Sequence, residues 1–319
     1  MGGAVARLLR RQGHQVRSFS RGPHPDLAAD GIEVFRADLC DFDALRAACR
    51  GHEAVVHCAA MVGLWGAYED FYRVNVAGTG NAIKACQALG IPRLVFTSSA
   101  SVVFTGGDME GRDESAPYAR TFLSHYARTK ALAEEMVLAS NTASLATVSL
   151  RPHLVWGPGE DRLVARILAR ARAGELRRIG RRNKLVDTTY IDDAAAAHCL
   201  ALERLAPGSP AAGKAYFISQ GDPRPLWDMV NGILKAAGLP PVERSVSLLA
   251  ARAAAWALEA FYAAARRRDE PKLTRFLVAQ LTTAHWFDIS AARRDLGYRP
   301  QVSVAEGLER LGAWLAERR

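Results

Sequence analysis

The sequence predicts an α/β fold in which a parallel sheet, flanked by helices, is joined to a smaller, mostly helical lobe. In its first two thirds, short apolar runs alternate with stretches whose apolar residues recur every three or four positions. This alternation is typical of β-α-β units and a parallel sheet. Helical patterns dominate later, so we assign residues 1–152 and 190–220 to the sheet domain and 153–189 and 221–319 to the second lobe.

The apolar runs place the elements in order. The predicted strands of the first half are Gln15–Phe19, Ile32–Phe35, Ala54–Cys58, Leu94–Thr97 and Ala146–Leu150. The predicted helices are Gly2–His14, Asp43–Arg50, Phe71–Leu89 and His125–Ala139. The later elements are a helix over Arg162–Ala173, an extended Asp187–Tyr190, a helix over Asp192–Leu205 and a strand over Ala215–Ser219. From Pro225 onward the pattern is mainly helical.

Composition limits the classes of ligand and compartment. The chain has 42 Lys and Arg against 33 Asp and Glu, a net charge of +9 that favours anionic ligands or surfaces. The basic residues are scattered, so no nucleic-acid partner is predicted. Five cysteines, odd in number and without a CxxC pair, predict no disulfide framework, no metal site and a cytoplasmic location. No apolar run reaches the roughly 18 residues of a membrane span.

Tyr126 and Lys130 lie one helical turn apart, so their side chains point to one side of the predicted helix. A nearby ammonium lowers the pKa of a phenol, which is about 10 in water, and makes it a better proton donor near neutral pH. Ser99 follows a predicted strand, at the sheet edge where ligands bind in such folds. These residues predict a proton-transfer site; the alternative is ordinary surface pairing and a strand-ending serine.

Five landmarks in this order resemble the extended short-chain dehydrogenases/reductases, which have a Rossmann-type sheet. They are His57–Ala60, Asn75–Thr79, Thr97–Ser99, Tyr126 with Lys130, and Arg151-Pro152. The 3β-hydroxysteroid dehydrogenase branch is the most similar broad group. Within that branch, four further segments look like the 2-alkyl-3-oxoalkanoate reductases of bacterial olefin biosynthesis: Gly63–Gly66, Val102–Phe104, Arg151–Gly159 and His285–Asp288.

The resemblance implies NADPH-dependent reduction of a ketone, with a long-chain 2-alkyl-3-oxoalkanoate as the hydrophobic substrate. Ser99, Tyr126 and Lys130 would be catalytic, with Ser98 in place of Ser99 if the register slips, and Asn75 would order a water. The implied cofactor contacts are Gly2, Gly3, Ser20, Arg21, Asp38, Leu39, Ala59, Ala60, Thr97, Tyr126, Lys130, Pro152 and Leu154. The resemblance also implies a homodimer. The alternatives are an NAD(P)-dependent 3β-hydroxysteroid or sterol-4-carboxylate 3-dehydrogenase, and a non-catalytic dinucleotide-fold binding protein.

The start of the sequence departs from the family pattern. The helix beginning at Gly2 should follow a first strand and a glycine-rich phosphate loop, and neither precedes it. Gly2 and Gly3 match only the last glycines of such a loop. We expect the natural chain to start upstream of Met1, since a missing central strand would leave buried backbone groups unpaired. The alternative is a member that no longer binds the cofactor.

The end of the predicted Gln15–Phe19 strand bears on cofactor choice. Ser20 stands where an acidic residue would bind the ribose of NAD, and Arg21 and Arg17 are near it in sequence. Because guanidinium groups suit phosphate, the sequence favours NADP(H), with NAD(H) as the alternative. For a 3-oxo acid, His153 and Arg128 are two unranked candidates for the partner of the substrate carboxylate.

The segment 245–268 is strongly apolar, interrupted by Arg252 and Glu259 and followed by the basic run Arg266–Arg268. We expect a helix that covers a hydrophobic substrate pocket. The alternative is a peripheral contact with an anionic membrane or with a partner enzyme.

Overall fold

A parallel sheet with helices on its faces forms the core of the protein, for which a computed structural model describes residues 1–160 and 162–318. The longer strands are β1 Arg17–Ser20, β2 Glu33–Arg36, β3 Val55–His57, β4 Arg93–Thr97, β5 Met109–Arg112, β6 Ala146–Pro152, β11 Lys214–Ile218 and β14 His285–Phe287. Two-residue strands are β7 Val155–Trp156, β8 Arg178–Ile179, β9 Leu185–Val186, β10 Thr189–Tyr190, β12 Arg224–Pro225 and β13 Ser245–Val246.

The helices before residue 150 are α1 Gly2–Arg11, α2 Pro25–Ala29, α3 Phe42–Cys49, α4 Tyr68–Tyr72, α5 Gly78–Leu89 and α6 His125–Ala139. A π-helical turn, Arg73–Ala77, joins α4 to α5, and a 3₁₀ turn spans Ala100–Val103. The later helices are α7 Leu163–Arg172, α8 Ile191–Arg204, α9 Leu226–Ala236, α10 Leu248–Ala264, α11 Arg275–Thr282, α12 Ser290–Asp295 and α13 Val304–Ala316. No helix in residues 1–160 and 162–318 is long and apolar enough to cross a membrane.

Strands β11, β6, β4 and β3 pair in that order, all parallel. Leu94, Val95 and Phe96 of β4 are fully buried because helices cover both faces of the sheet, which explains the unbroken apolar run in the sequence. The carboxyl ends of β4 and β6 therefore open at one edge of a rigid sheet. That edge carries Ser98 and Ser99 on one strand and His153 on the next.

Strands β1 and β2 form a separate parallel pair. Within the described residues no ladder joins β1 to β3, and residues of both strands line a large cavity. This gap lies between the strands where the family resemblance places a further strand. Helix α1 packs against α8 beside it, with Val5 and Leu9 buried against Ala195 and Cys199.

The predicted second lobe packs around buried Trp156 and Trp227 together with Tyr190, a residue that the sequence division assigns to the sheet domain, and α9 packs against α13. Its mixed sheet has the order β12-β9-β14-β5. Strand β5 was not predicted because Met109–Arg112 lacks apolar alternation; it forms because β14 pairs with it from far along the chain. Its hydrogen bonds thus join residues 109–112 to the second lobe, although the sequence division assigns them to the first domain.

The predicted α/β class is confirmed, and the predicted strands and helices recur within a few residues. One helix differs: the predicted Phe71–Leu89 is divided by the π-helical turn Arg73–Ala77. The side chain of Asn75 in this turn is clamped by the backbone of Met61 on both its oxygen and its nitrogen. Such turns insert one residue into a helix and are frequent near functional sites.

Candidate active site

A cavity of about 1380 Å³ runs from the amino end of α1 to the carboxyl edge of the sheet. The predicted site residues that line it are Gly2, Gly3, Ser20, Leu39, Ala59, Ala60, Thr97, Ser99, Tyr126, Lys130, Pro152 and Leu154. Arg21 and Asp38 line a second, smaller hollow. Asn75 lines neither. Leu154 has a φ of 43°, a left-handed conformation that is strained for a leucine and is typical of functional sites.

Tyr126 lies in the first turn of α6, whose start is capped by the Ser124 hydroxyl accepting from the Ala127 amide at 3.2 Å. The half-buried phenol faces the cavity. Burial raises the pKa of Tyr126, and the Ser99 hydroxyl and the Arg162 guanidinium oppose that rise. The phenol is therefore protonated at neutral pH, as a proton donor must be.

Lys130 does not act on Tyr126 as expected. Its Nζ donates to the Thr97 carbonyl at 2.6 Å and lies 3.9 Å from the centre of the Phe96 ring. Burial lowers the pKa of Lys130 to about 7, although Glu134 and Cys58 raise it. The expectation that Lys130 lowers the phenol pKa is therefore wrong for this structure, because the ammonium is bound to the strand carbonyl. The cation that favours the phenolate is Arg162, which the sequence reading missed.

Ser99 begins the 3₁₀ turn, and its Oγ accepts from the Ser101 amide at 3.2 Å and from the Ser101 hydroxyl at 2.9 Å. With both of these bonds accepted, the single Ser99 proton points to the Tyr126 oxygen, whose pKa it lowers, and is the proton that a ligand oxygen placed between the two residues would receive. Ser101 was not predicted; only its position within the 3₁₀ turn brings its hydroxyl to Ser99. Ser98 also lines the cavity, but its side chain is buried and acts on Glu134, whereas Ser99 is the serine that interacts with the phenol.

Asn75 is buried, and its amide joins three parts of the structure. Oδ1 accepts from the Met61 amide at 2.7 Å, and Nδ2 donates to the Met61 carbonyl and to the Thr129 hydroxyl, each at 3.0 Å. Both amide protons are thus used within the protein. The expected water-ordering role therefore finds no free donor in this structure, and Asn75 instead holds the cavity-wall segment at residues 59–61 against α6.

A buried ion pair fixes α6 on the sheet. Arg151 Nη2 donates to Glu134 Oε1 at 2.6 Å, and the hydroxyls of Ser149 and Tyr118 donate to the same carboxylate at 2.7 and 2.8 Å. Burial raises the pKa of Glu134, but Arg151, Ser98 and Ser149 outweigh it and lower the pKa overall. Since Glu134 stands one turn beyond Lys130, this pair sets the position of the helix face that carries Tyr126 and Lys130.

The hollow beyond Ser20 has a volume of about 370 Å³ and is lined by Arg21, Arg36, Ala37 and Asp38. Neither Arg21 nor Arg36 forms an ion pair within the described residues, and both are exposed. Arg36, which was not predicted, comes to Arg21 because β1 and β2 pair in parallel and end together. The expectation for Arg17 is wrong: it starts β1, where it binds Glu33 at 2.8 Å and the Ala48 carbonyl at 2.7 Å.

The structure separates the candidates for a carboxylate partner. Arg128 is exposed, lies 4.6 Å from the centre of the Tyr68 ring and does not line the cavity. His153 lines the cavity, but its Nε2 is hydrogen-bonded to His285 Nδ1 at 2.7 Å and burial lowers its pKa well below the usual value. Arg162 lines the cavity near Tyr126 and donates to the Val62 carbonyl at 2.8 Å.

Comparison with known proteins identifies relatives of the chain. Residues 4–248 match the model of the 3-beta hydroxysteroid dehydrogenase/isomerase family. The chain is 49% identical to a 2-alkyl-3-oxoalkanoate reductase of Stenotrophomonas maltophilia, over 98% of this chain and 96% of that protein. It is 45% identical to the Shewanella oneidensis protein of the same name, over 99% and 84%. It is 33% identical to a decarboxylating sterol-4-alpha-carboxylate 3-dehydrogenase of Mus musculus, over 96% and 85%.

Solved structures agree on the fold. The match to the crystal structure of gox2253 covers 99% of this chain and 95% of the gox2253 chain, with a TM-score of 0.78 and 26% identity. The UDP-glucose 4-epimerase of Thermus thermophilus, solved in complex with NAD, covers 99% and 95% with a TM-score of 0.73 and 23% identity. The second likeness shows the fold alone.

Proposed function

The chain belongs to the 3-beta hydroxysteroid dehydrogenase/isomerase family, and on that premise we propose that it reduces a long-chain 2-alkyl-3-oxoalkanoate to the 3-hydroxy acid with NADPH. One observation carries the proposal: a single cavity joins the amino end of α1 to Ser99, Tyr126 and Lys130. The two relatives named 2-alkyl-3-oxoalkanoate reductase support the substrate class.

The cavity fits a dinucleotide. Gly2 and Gly3 line it at the first turn of α1, where free amides and the helix dipole suit a pyrophosphate. Ala59 and Ala60 leave room along its wall, and Lys130 lies beyond them. When bound, NADPH supplies the hydride that the ketone carbon accepts.

The chain's own residues supply the proton. Ser99 donates a hydrogen bond to the carbonyl oxygen and holds it beside Tyr126. As the C–O double bond becomes single, the oxygen takes the phenolic proton of Tyr126, and the product is a secondary alcohol. Arg162 stabilises the phenolate left on Tyr126, which regains its proton from solvent. Lys130 holds the Thr97 carbonyl, and with it the strand end that carries Ser99.

We propose that Arg162 binds the carboxylate of the acid substrate. Unlike His153 it is a cation, and unlike Arg128 it lines the cavity. The carboxylate of a 3-oxo acid is two carbons from the ketone, so its partner must lie near Tyr126, as Arg162 does. The second lobe completes the substrate side of the cavity with Phe276, Gln280, His285 and Phe287.

The function is tested by following NADPH oxidation with 3-oxo acids of graded chain length and with the methyl ketone that each gives on losing its carboxylate. Arg162→Ala is expected to raise KM for the acid by about 10- to 100-fold, the loss of one charged hydrogen bond, and to leave KM for the ketone unchanged. Arg172→Ala, at an exposed arginine that ends helix α7, is the control. An equal effect on acid and ketone would contradict the assignment.

We propose NADPH over NADH because Arg21 and Arg36 offer two unpaired guanidinium groups at the hollow beyond Ser20. Replacing either by Ala is expected to lower kcat/KM for NADPH by about 10- to 100-fold and to change that for NADH less than twofold. Steady-state kinetics with both cofactors measure this, with Arg204→Ala as the control. A parallel fall with both cofactors would refute a 2′-phosphate contact.

A second candidate function is oxidation of a 3β-hydroxysteroid or a sterol-4-carboxylate, favoured by the relatives of 32% and 33% identity that bear those names. Faster oxidation of such an alcohol with NAD(P)⁺ than reduction of any 3-oxo acid would establish it. A non-catalytic binding protein would instead show neither turnover nor a change in NADPH fluorescence.

A further inference from the structure

Helix α10 presents an apolar face that the described residues leave open. Leu249, Trp256 and Phe261 are 79%, 65% and 56% exposed. At 3.6 residues per turn they fall on one broad side of the helix. The other exposed apolar positions on that side are all alanine: Ala250, Ala253, Ala254, Ala257, Ala260, Ala263 and Ala264. Isolated exposed apolar residues are ordinary, but a continuous face of this kind marks a contact surface.

The opposite side of α10 packs on the substrate lobe. Ala251 and Ala255 are buried with Val278 of α11 and Ile179 of β8. Helix α11 in turn lines the cavity with Phe276 and Gln280. No residue of α10 lines the cavity; the helix packs through these alanines on α11, so the expectation that it covers a substrate pocket stays a prediction. Its large apolar side chains point the other way, one helix layer from the cavity.

The rim of this face is cationic. Arg252 at its edge and Arg266 and Arg268 beyond its carboxyl end are exposed, and none forms an ion pair within residues 1–160 and 162–318. The acidic residue of α10, Glu259, is turned aside and binds Arg275 at 2.5 Å. Apolar side chains within a rim of unpaired arginines suit a surface with anionic groups over a hydrocarbon layer.

The carboxyl end of α10 is tied to the rim of the cavity. Trp65 Nε1 donates to the Arg267 carbonyl at 3.0 Å, and the Leu64 amide donates to Glu270 at 3.1 Å. Arg166 of α7 pairs with Glu270 at 2.9 Å. Leu64 and Arg166 both line the cavity, so a surface that contacts α10 lies beside an edge of the substrate site.

We propose that α10 docks the protein on an anionic membrane surface, lying in the interface without crossing it, beside a cavity that takes a membrane-dissolved long-chain substrate. The membrane docking is inferred from the exposed face of α10 alone. The delivery of a membrane-dissolved substrate rests in addition on the proposed function. A second copy of this chain fits the face less well, since a twofold contact would bring two arginine rims together.

The test is co-sedimentation of the full chain with vesicles of phosphatidylcholine alone or mixed with phosphatidylglycerol. The wild type is expected to partition at least tenfold more strongly to the anionic vesicles. Trp256→Glu, and separately Arg266→Glu with Arg268→Glu, should each lower that partition at least tenfold. Leu185→Glu, at a residue 40% exposed on strand β9, is the matched control. Thermal melting of each variant verifies that the changes at exposed positions leave the fold intact.

Equal sedimentation of wild type and Trp256→Glu, or no binding to anionic vesicles, would overturn the proposal. The proposal would also be overturned if the wild type bound no vesicles but formed a dimer in sedimentation velocity that Trp256→Glu dissociated. In that case a second copy of the chain would occupy the face of α10. Turnover of a short, soluble 3-oxo acid separates the two proposals. Wild type that binds vesicles but reduces no such acid refutes the function and leaves the docking. Trp256→Glu should reduce that acid at the wild-type rate.

Discussion

Replacing Tyr126 by Phe is expected to lower kcat for ketone reduction by about 10³-fold, within the range that a positioned general acid contributes. The phenol is the cavity group that interacts with Ser99 and has its proton in place at neutral pH, because burial raises its pKa. Phenylalanine keeps the ring and its packing and removes the hydroxyl, and with it the transferable proton and the interaction with Ser99. The dissociation constant for NADPH should therefore change little.

Single-turnover rates and NADPH fluorescence titration measure the two quantities separately. Tyr72→Phe, at an exposed tyrosine outside the cavity, is the matched control and should behave as wild type. The same reasoning sets the pH dependence: the contribution of Tyr126 should be constant through neutral pH and be lost only above the ordinary phenol pKa of about 10. A kcat for Tyr126→Phe within tenfold of wild type would exclude the phenol as the proton donor.

Replacing Lys130 by Met is expected to stabilise the protein near neutral pH while reducing its activity. The ammonium is 2% exposed, and burial lowers its pKa from 10.5 to about 7. Between these two pKa values the unfolded chain binds a proton that the folded chain does not. The free energy of unfolding of the wild type therefore increases as pH rises through this range. This increase is at most about 1.4 kcal/mol per pH unit. Below pH 7, Lys130 is charged in both states, so the full cost of burying its ammonium lowers the free energy of unfolding.

Urea unfolding at pH 6.5 and pH 9 measures the effect. The variant should be the more stable protein at pH 6.5, and its advantage should narrow toward pH 9 because the wild-type penalty fades. Lys84→Met, on the exposed side of α5, should show no such pH dependence. A variant that is less stable at pH 6.5, by an amount independent of pH, would show that the bond to the Thr97 carbonyl outweighs desolvation. If Lys130→Met is more stable than the wild type but less active, Lys130 serves function at a cost in stability.

The comparison of sequence and structure separates local from long-range information. Helix α6 and strand β6 were predicted to within two residues, because the spacing of their apolar residues is local information. The pairing of Tyr126 with Ser99 was predicted because both stand at the open edge of a parallel sheet. Arg36, Ser101 and Arg162 were missed, since each joins the site only through strand pairing, a 3₁₀ turn or the return of the second lobe.

Residue spacing was enough to predict the α/β class, the order of the elements and the helical turn that carries Tyr126 and Lys130, because these features depend on local periodicity. The partners of each side chain depend instead on how the elements pack. In the folded protein Lys130 donates to the Thr97 carbonyl, Asn75 is hydrogen-bonded to the backbone of Met61, and Trp256 is exposed. Those outcomes depend on burial and on partners distant in the chain, which set the pKa values and the exposed surface and which no local pattern encodes.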